Sequence, residues 1–139
     1  MAELFQQSYS ADRLRAVPVL TLAHVGDGVY ELLARTRVVD NCPEGKVARA
    51  HKQTVAMVSA VAQAKAARML EPMLTEQENA VFHRGRNCHV NSVPKGASRE
   101  DYGYATALEA LFGYLYLRGE DERLSQLWEM CEKSFEEKT

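Results

Sequence analysis

The 139-residue sequence is poor in cysteine and has no long apolar run, and each shortage excludes a class of protein. Its three cysteines, Cys42, Cys88 and Cys131, are odd in number, far apart and without a paired-cysteine motif. That pattern argues against a disulfide framework or a structural zinc site and favours reduced thiols in a cytoplasmic protein. The four histidines also lack the spacing of a metal-binding cluster.

No apolar stretch approaches the length of a membrane span, so we expect no membrane association. Residues 1–15 mix acidic and polar side chains and do not resemble a secretory leader. No segment shows the alternation of a strand, and there is no internal repeat. We therefore expect one helical domain over residues 1–139, which is long enough to bury a core of its own.

The formal net charge of −2 does not indicate a nucleic-acid-binding protein, but the charges are unevenly distributed. Residues 45–70 contain five lysines and arginines without an acid, and residues 81–99 contain four without an acid. From residue 119 onwards, acids outnumber basic residues seven to three. This segregation predicts a basic face on a weakly acidic protein, or else solvated helix faces charged by chance.

An acid flanked by glycines lies in a predicted helix from about Pro18 to Val39. Its apolar residues at three- and four-residue steps predict one buried stripe, formed by Leu22, Val25, Val29 and Leu32. Asp27 lies off that stripe between Gly26 and Gly28. Each helical glycine costs roughly 1 kcal/mol relative to alanine, so the pair predicts close approach of another backbone. An acid at such a crossing needs a positive partner, either an arginine or a divalent metal.

A second apolar helix, around residues 105–117, also has one acid at its centre. Glu109 is followed one turn later by Gly113, on the same face. Packed against the first helix, this segment would place two carboxylates near one hard cation, which is how Mg²⁺ is usually held.

The segments LAHVGDGVYE, HRGRN and YATALEALFGYLYL resemble, in this order and spacing, the Mini-ribonuclease III family. The similarity covers about residues 14–130 and includes no double-stranded-RNA-binding domain. It implies an all-α ribonuclease III endonuclease domain that forms a two-fold homodimer. The implied activity is Mg²⁺-dependent cleavage of double-stranded RNA to 5′-phosphate and 3′-hydroxyl ends. The implied substrate is the 23S ribosomal RNA precursor, and the implied auxiliary partner is a large-subunit ribosomal protein.

The resemblance assigns the catalytic and metal-binding roles to Asp27 and Glu109. Two further acids of larger ribonuclease III proteins are replaced here by Ala23 and Thr106, which predicts a metal site with more water ligands. Glu31 could assist at the metal, although an ion pair with Arg35 is the simpler interpretation. The resemblance also places His24 at the dimer interface, where an aromatic residue stands in larger relatives, so the contact would respond to pH.

The resemblance predicts RNA phosphate contacts at two basic segments and a loop, formed by His51, Lys52, Arg84, Arg86, Asn87 and Lys95. Simpler roles remain open for several of them. His51 falls on an apolar stripe with Val47, Val55 and Val58, which predicts a partly buried, hydrogen-bonded histidine. Arg84 and Arg86 would complement the negative end of a helix.

Further local signals predict where helices begin and end. We expect a break at Ser59 within residues 44–70, a capping box at Thr75–Glu78, a helix end around residues 84–87 with Gly85 as a natural stop, a cap at Ser98 and a stop at Gly119. The last helix should bury Trp128 as a structural anchor, and residues 1–12 should lie loosely on the surface. Two other functions remain open: a non-catalytic ribonuclease-III-like module that binds RNA in a ribosomal assembly, and a helical interaction protein.

Overall fold

The computed structural model describes residue 5, residues 7–88, residue 93 and residues 96–136. These residues form helices and connecting turns, with no strand among them. The helices are α1 (Ala11–Arg15), α2 (Val19–Asn41), α3 (Val47–Val58), α4 (Ala60–Leu70), α5 (Glu76–Arg86), α6 (Arg99–Arg118) and α7 (Asp121–Glu136), with a 3₁₀ turn at Glu71–Met73. Within the described residues, no helix is long and apolar enough to cross a membrane.

The fold is built around α6, which packs against α2, α4, α5 and α7. Its central residues from Tyr104 to Leu115 are buried, apart from the half-buried Glu109. A helix that is apolar on all sides belongs in the middle of a domain. The helix that carries Glu109 is therefore the structural centre of the protein.

The crossing of α2 over α6 depends on two glycines. A Cβ atom on Gly26 would lie 1.6 Å from the carbonyl oxygen of Glu109, and one on Gly113 would lie 2.0 Å from that of Leu22. Only glycine allows the two backbones to approach this closely. The predicted close crossing is confirmed at Gly26 and Gly113. It is wrong at Gly28, which is exposed and has no atom within 4 Å of an added Cβ.

The face of α2 that packs on the core also differs from the predicted stripe. The buried residues are Leu22, Ala23, Gly26, Tyr30, Ala34 and Val38. Val25 and Val29 are half-buried, while Leu32 is 56% exposed. The prediction placed the buried stripe on the larger aliphatic residues. The close helix crossing instead requires glycine and alanine, so the larger side chains lie at the margin of the contact.

The buried face of helix α3 is not the one that the sequence predicts. It buries Thr54 and Met57, while Val47 and Val55 are 83% and 47% exposed. His51 is exposed as well, so the prediction of a partly buried histidine is wrong. The spacing of the apolar residues correctly predicted a helix, but Val47 and Val55 face solvent and not the core.

Most of the predicted helix ends are confirmed. The hydroxyls of Ser59, Thr75 and Ser98 accept the N–H groups of Ala62, Glu78 and Asp101, and Thr75 and Glu78 form the full capping box. Gly119 ends α6 with a left-handed φ of 75°. Helix α5 ends at Arg86, within the predicted end at residues 84–87. Gly85 itself is buried in the last turn of the helix, where a Cβ would lie 2.8 Å from the Cα of Ala107. Gly85 therefore allows α5 to approach α6.

Tyr9, before α1, is packed against the end of α6, contrary to the loose surface position expected for residues 1–12, of which residues 1–4 and 6 lie outside the described residues. The Tyr9 N–H donates to the Leu117 carbonyl at 2.8 Å, and the Arg118 guanidinium donates to the Tyr9 carbonyl at 3.0 Å. Trp128 is buried as expected and stacks edge-on against Tyr30 of α2. These contacts join both ends of the described chain to the central pair of helices.

Candidate active site

The crossing of α2 and α6 brings together the two carboxylates predicted to bind metal. Asp27 follows Gly26, the residue that contacts the backbone of Glu109. The two carboxyl groups lie within hydrogen-bonding reach of each other. Asp27 is exposed, whereas Glu109 is half-buried between the helices. The pair therefore has one side open to solvent and one side in the protein.

The electrostatics of the pair favour a proton on Glu109. Burial raises the pKa of the Glu109 carboxyl, and the charge of Asp27 and the hydrogen bond between the two groups raise it further, to about 8. Like charges at this separation disfavour ionisation of both groups. At neutral pH, the two carboxylates repel each other unless a proton or a cation lies between them.

A glutamine that the sequence-based interpretation missed completes the cluster. Gln63 of α4 is only 3% exposed, and its side chain hydrogen-bonds Glu109, which opposes the rise in that pKa. Residues 60–67 are otherwise alanine and valine apart from Lys65. A lone amide in such an apolar helix was the available signal in the sequence, but the sequence did not indicate that its hydrogen-bond partner is Glu109.

Neighbouring positions on the two helices supply no further acid. Ala23 is buried, and the buried Thr106 hydroxyl donates to the Tyr102 carbonyl at 2.9 Å. Glu31 pairs with Arg35 at 3.0 Å on the surface, as the simpler interpretation expected. The cluster thus consists of Asp27, Glu109 and Gln63.

The side-chain chemistry of this cluster fits a hard divalent cation. Its donors are carboxylate and amide oxygens, the ligands that Mg²⁺ and Mn²⁺ prefer. Neither carboxylate has an ion-pair partner within the described part of the chain. The same part holds no group of three or more His, Cys, Asp or Glu residues placed to bind metal. Two carboxylates would leave most of the coordination sphere to water, as expected from Ala23 and Thr106.

The arginines predicted to contact RNA lie at the end of α5, beside the helix that carries Glu109. Arg84 is exposed and donates to the Val17 carbonyl at 3.3 Å. The Arg86 guanidinium lies 4.4 Å from the centroid of the Tyr104 ring and 3.8 Å from a Glu71 oxygen. Arg86 therefore also holds the end of α5 against α6. Asn87 caps α5 and is exposed.

Two other predicted RNA-binding residues lie on a different helix. His51 and Lys52 are exposed on α3, a helix that packs mainly on α2 and α4. Lys95 lies outside the described residues. His24, the predicted interface residue, is exposed on α2 one turn before Gly28. Four apolar residues of the same helix form an outward-facing band, in which Leu20 and Leu32 are exposed and Val25 and Val29 are half-buried.

Comparison with known proteins shows which family this chain belongs to. The ribonuclease III domain family matches residues 20–120, which contain both carboxylates. The chain is 38% identical to the Mini-ribonuclease 3 of Clostridium tetani over 94% of this chain and 87% of that protein. It is 45% identical to the Mini-ribonuclease 3 of a Thermoanaerobacter species over 85% of this chain and 82% of that protein. The chain belongs to the Mini-ribonuclease 3 family.

The fold agrees with that membership. A solved structure of a Fusobacterium nucleatum protein superposes with a TM-score of 0.79 at 26% identity, covering 86% of this chain and 95% of that one. As a Mini-ribonuclease 3 family member, the chain is an endoribonuclease of a metal-dependent class. The expected all-α ribonuclease III fold is confirmed.

In EDTA, the stability of this Mini-ribonuclease 3 family member should fall as pH rises from about 5 to 9. The pKa of Glu109 is raised from its ordinary 4.5 to about 8 in the fold. The stabilisation that this shift gives is present below the unfolded pKa and is lost as pH rises through the folded one. Urea unfolding of wild type and Glu109→Gln across this range measures the difference. Parallel pH profiles for the two proteins would contradict the assigned environment of Glu109.

Proposed function

We propose that the chain is a Mg²⁺-dependent endoribonuclease that cleaves double-stranded RNA at the cluster of Asp27 and Glu109. The observation that carries the proposal is the pairing of two carboxylates, with no cationic partner among the described residues, at the open side of the α2–α6 crossing. A protein uses few of its own ligands for Mg²⁺ and leaves the rest to water and substrate phosphate. This cluster has the matching number and kind of donors.

The residues of the cluster have separate tasks in this proposal. Asp27, the exposed member, would face the RNA strand, and Glu109 would hold the cation from the protein side. When bound, the cation would activate a water for attack on phosphorus and stabilise charge on the leaving 3′ oxygen. The products would carry 5′-phosphate and 3′-hydroxyl ends.

Recognition of the duplex would rest on exposed basic and polar side chains. Arg84, Asn87 and Lys52 present such groups at the surface, and we propose Arg86, His51 and Lys95 as further contacts. Contacts with phosphates and 2′-hydroxyls read the A-form shape of RNA more than its sequence. By family resemblance, we propose the 23S ribosomal RNA precursor as substrate, a large-subunit ribosomal protein as auxiliary partner and the cytoplasm as location.

We also propose that the protein works as a two-fold homodimer formed through α2. The outward-facing band of Leu20, Val25, Val29 and Leu32 is apolar and, at Gly28, has an open surface where a second helix would fit. Exposed apolar patches of this kind mark interfaces. His24 is exposed on the same helix and would be close to the two-fold axis.

The test of the proposed function is cleavage of three nucleic acids by the purified protein. We expect long double-stranded RNA to be cut with Mg²⁺ and to survive in EDTA, while single-stranded RNA and double-stranded DNA remain intact. End analysis should find 5′-phosphates. Tight binding of double-stranded RNA without cleavage under any divalent cation would instead identify a non-catalytic RNA-binding module.

Replacing both Arg84 and Lys52 with glutamine should weaken RNA binding equally across sequences. Each lost phosphate contact should reduce the slope of log affinity against log salt by about one. Arg86 is unsuitable for this test, because its stacking on Tyr104 also supports the fold. Lys133→Gln on α7, likewise exposed, is the matched control and should leave the slope unchanged. An unchanged slope in the double variant would show that neither residue contacts phosphate.

Leu32→Glu should convert the proposed dimer to monomer at micromolar concentration, because it places two charges in an apolar contact. Sedimentation velocity measures the result. Val61→Glu, an equally exposed apolar position on α4, is the control and should remain dimeric. Dissociation of the wild type below about pH 6, suppressed in His24→Gln, would implicate the histidine. A wild type that is monomeric at neutral pH would contradict the dimer.

A further inference from the structure

Gln63 is a buried amide that nothing in the proposed mechanism has yet used. It lies on α4, the helix beside α6, and only 3% of its surface is exposed. Burying an amide costs roughly 1–3 kcal/mol unless it is hydrogen-bonded. Its side-chain partner is Glu109, one of the two carboxylates of the cluster.

The surroundings of Gln63 leave it little freedom to turn elsewhere. Ala64, Ala66 and Ala67, its neighbours on α4, are fully buried against the core. The backbone N–H of Gln63 is already used, since it donates to the Ser59 carbonyl at 2.9 Å. Because its side chain is 3% exposed, the amide has little access to water and depends on a partner within the protein, and its partner is the Glu109 carboxyl.

We infer that Gln63 is the positioning residue of the metal site: its amide N–H holds one oxygen of Glu109 and leaves the other directed towards Asp27 and the cation. The inference rests on the proposed function, because it assigns a supporting residue to the same site. It also accounts for the difference between the two carboxylates, since Asp27 is exposed to solvent and Glu109 is hydrogen-bonded on its buried side by Gln63. A ligand oriented by an outer hydrogen bond binds metal more tightly than one that is free to rotate.

The test is the binding of Mn²⁺ alone, measured by electron paramagnetic resonance, for wild type, Gln63→Met and Gln63→Leu. Met keeps the length of glutamine, and both replacements remove the donor without adding charge. We expect Mn²⁺ to bind about 10–100-fold more weakly in both variants, with a melting temperature near that of the wild type. In the cleavage assay, the Mg²⁺ concentration for half-maximal rate should rise, and saturating Mg²⁺ should restore most of the rate.

A purely structural role for Gln63 predicts a different pattern. Loss of folded protein lowers activity at every Mg²⁺ concentration and leaves the half-maximal concentration unchanged. Thr54→Val, which removes another buried side-chain hydrogen bond (3.0 Å to the Ala50 carbonyl), is the matched control for such a loss. Mn²⁺ affinity within twofold of wild type in Gln63→Met and Gln63→Leu would overturn the inference.

Failure of this inference can be told apart from failure of the proposed function. If Asp27→Asn and Glu109→Gln abolish Mn²⁺ binding while the Gln63 variants bind normally, the metal site stands and Gln63 does not position it. If the Asp27 and Glu109 variants bind Mn²⁺ like the wild type, the site itself is misassigned and the inference falls with it.

Discussion

Asp27→Asn and Glu109→Gln should each reduce cleavage of double-stranded RNA by at least about a thousandfold. The amides keep the size of the side chains but remove the negative charge that a hard cation requires. A catalytic metal lowers the activation barrier by several kcal/mol, and a change of about 4 kcal/mol in that barrier corresponds to a thousandfold change in rate. Single-turnover cleavage at saturating Mg²⁺ measures the effect.

Both variants should remain folded and should bind RNA as tightly as the wild type or more tightly. Glu109→Gln removes the carboxyl whose pKa is raised by burial and by the charge of Asp27, and Asp27→Asn removes that neighbouring charge, so neither variant adds a repulsion. Glu31→Gln is the matched control, since this acid lies one turn further along α2 and pairs with Arg35 at the surface. It should cleave at the wild-type rate. Parallel losses of activity and folded protein in the two amide variants would instead indicate that the carboxylates are structural.

Gly26→Ala should destabilise the protein by about 3 kcal/mol or more and lower its melting temperature by roughly 10 °C. The added Cβ would lie 1.6 Å from the Glu109 carbonyl oxygen and 2.8 Å from the Gly113 nitrogen. Both contacts are with backbone, so no side-chain rotation can relieve them. Because α2 must then move away from α6, the variant should also separate Asp27 from Glu109 and lose cleavage.

Gly28→Ala provides the comparison for Gly26→Ala, two residues further along the same helix. No atom lies within 4 Å of its added Cβ, so stability should stay within about 1 kcal/mol of the wild type. Thermal unfolding followed by circular dichroism separates the two outcomes. Similar melting temperatures for Gly26→Ala and the wild type would contradict the close crossing of the two helices.

Features that depend on neighbouring residues in the chain were predictable from the sequence. The capping box at Thr75–Glu78 and the left-handed turn at Gly119 arise from interactions within a few residues. Their residue types carry the geometry with them. The positions of Asp27 and Glu109 were predictable for another reason, since each is a lone acid beside a glycine in an apolar helix.

Features that depend on tertiary packing were not predictable in the same way. The face of α2 was misjudged because the core there selects small residues, and Leu32 is left exposed. The sequence did not distinguish Gly85, which allows a close helix contact, from Gly28, which faces solvent, because a glycine looks the same in sequence in either position. Gln63 was missed because its partner lies on a helix distant in the chain.

The most direct measurement of the central claim, that Asp27 and Glu109 jointly hold one divalent cation, is anomalous diffraction from crystals grown with Mn²⁺. The account predicts a peak about 2.0–2.6 Å from a carboxylate oxygen of each residue, in the range of hard-cation coordination. The peak should disappear in crystals of Glu109→Gln. A Mn²⁺ site that contacts neither carboxylate, or a peak that persists unchanged in that variant, would contradict the claim.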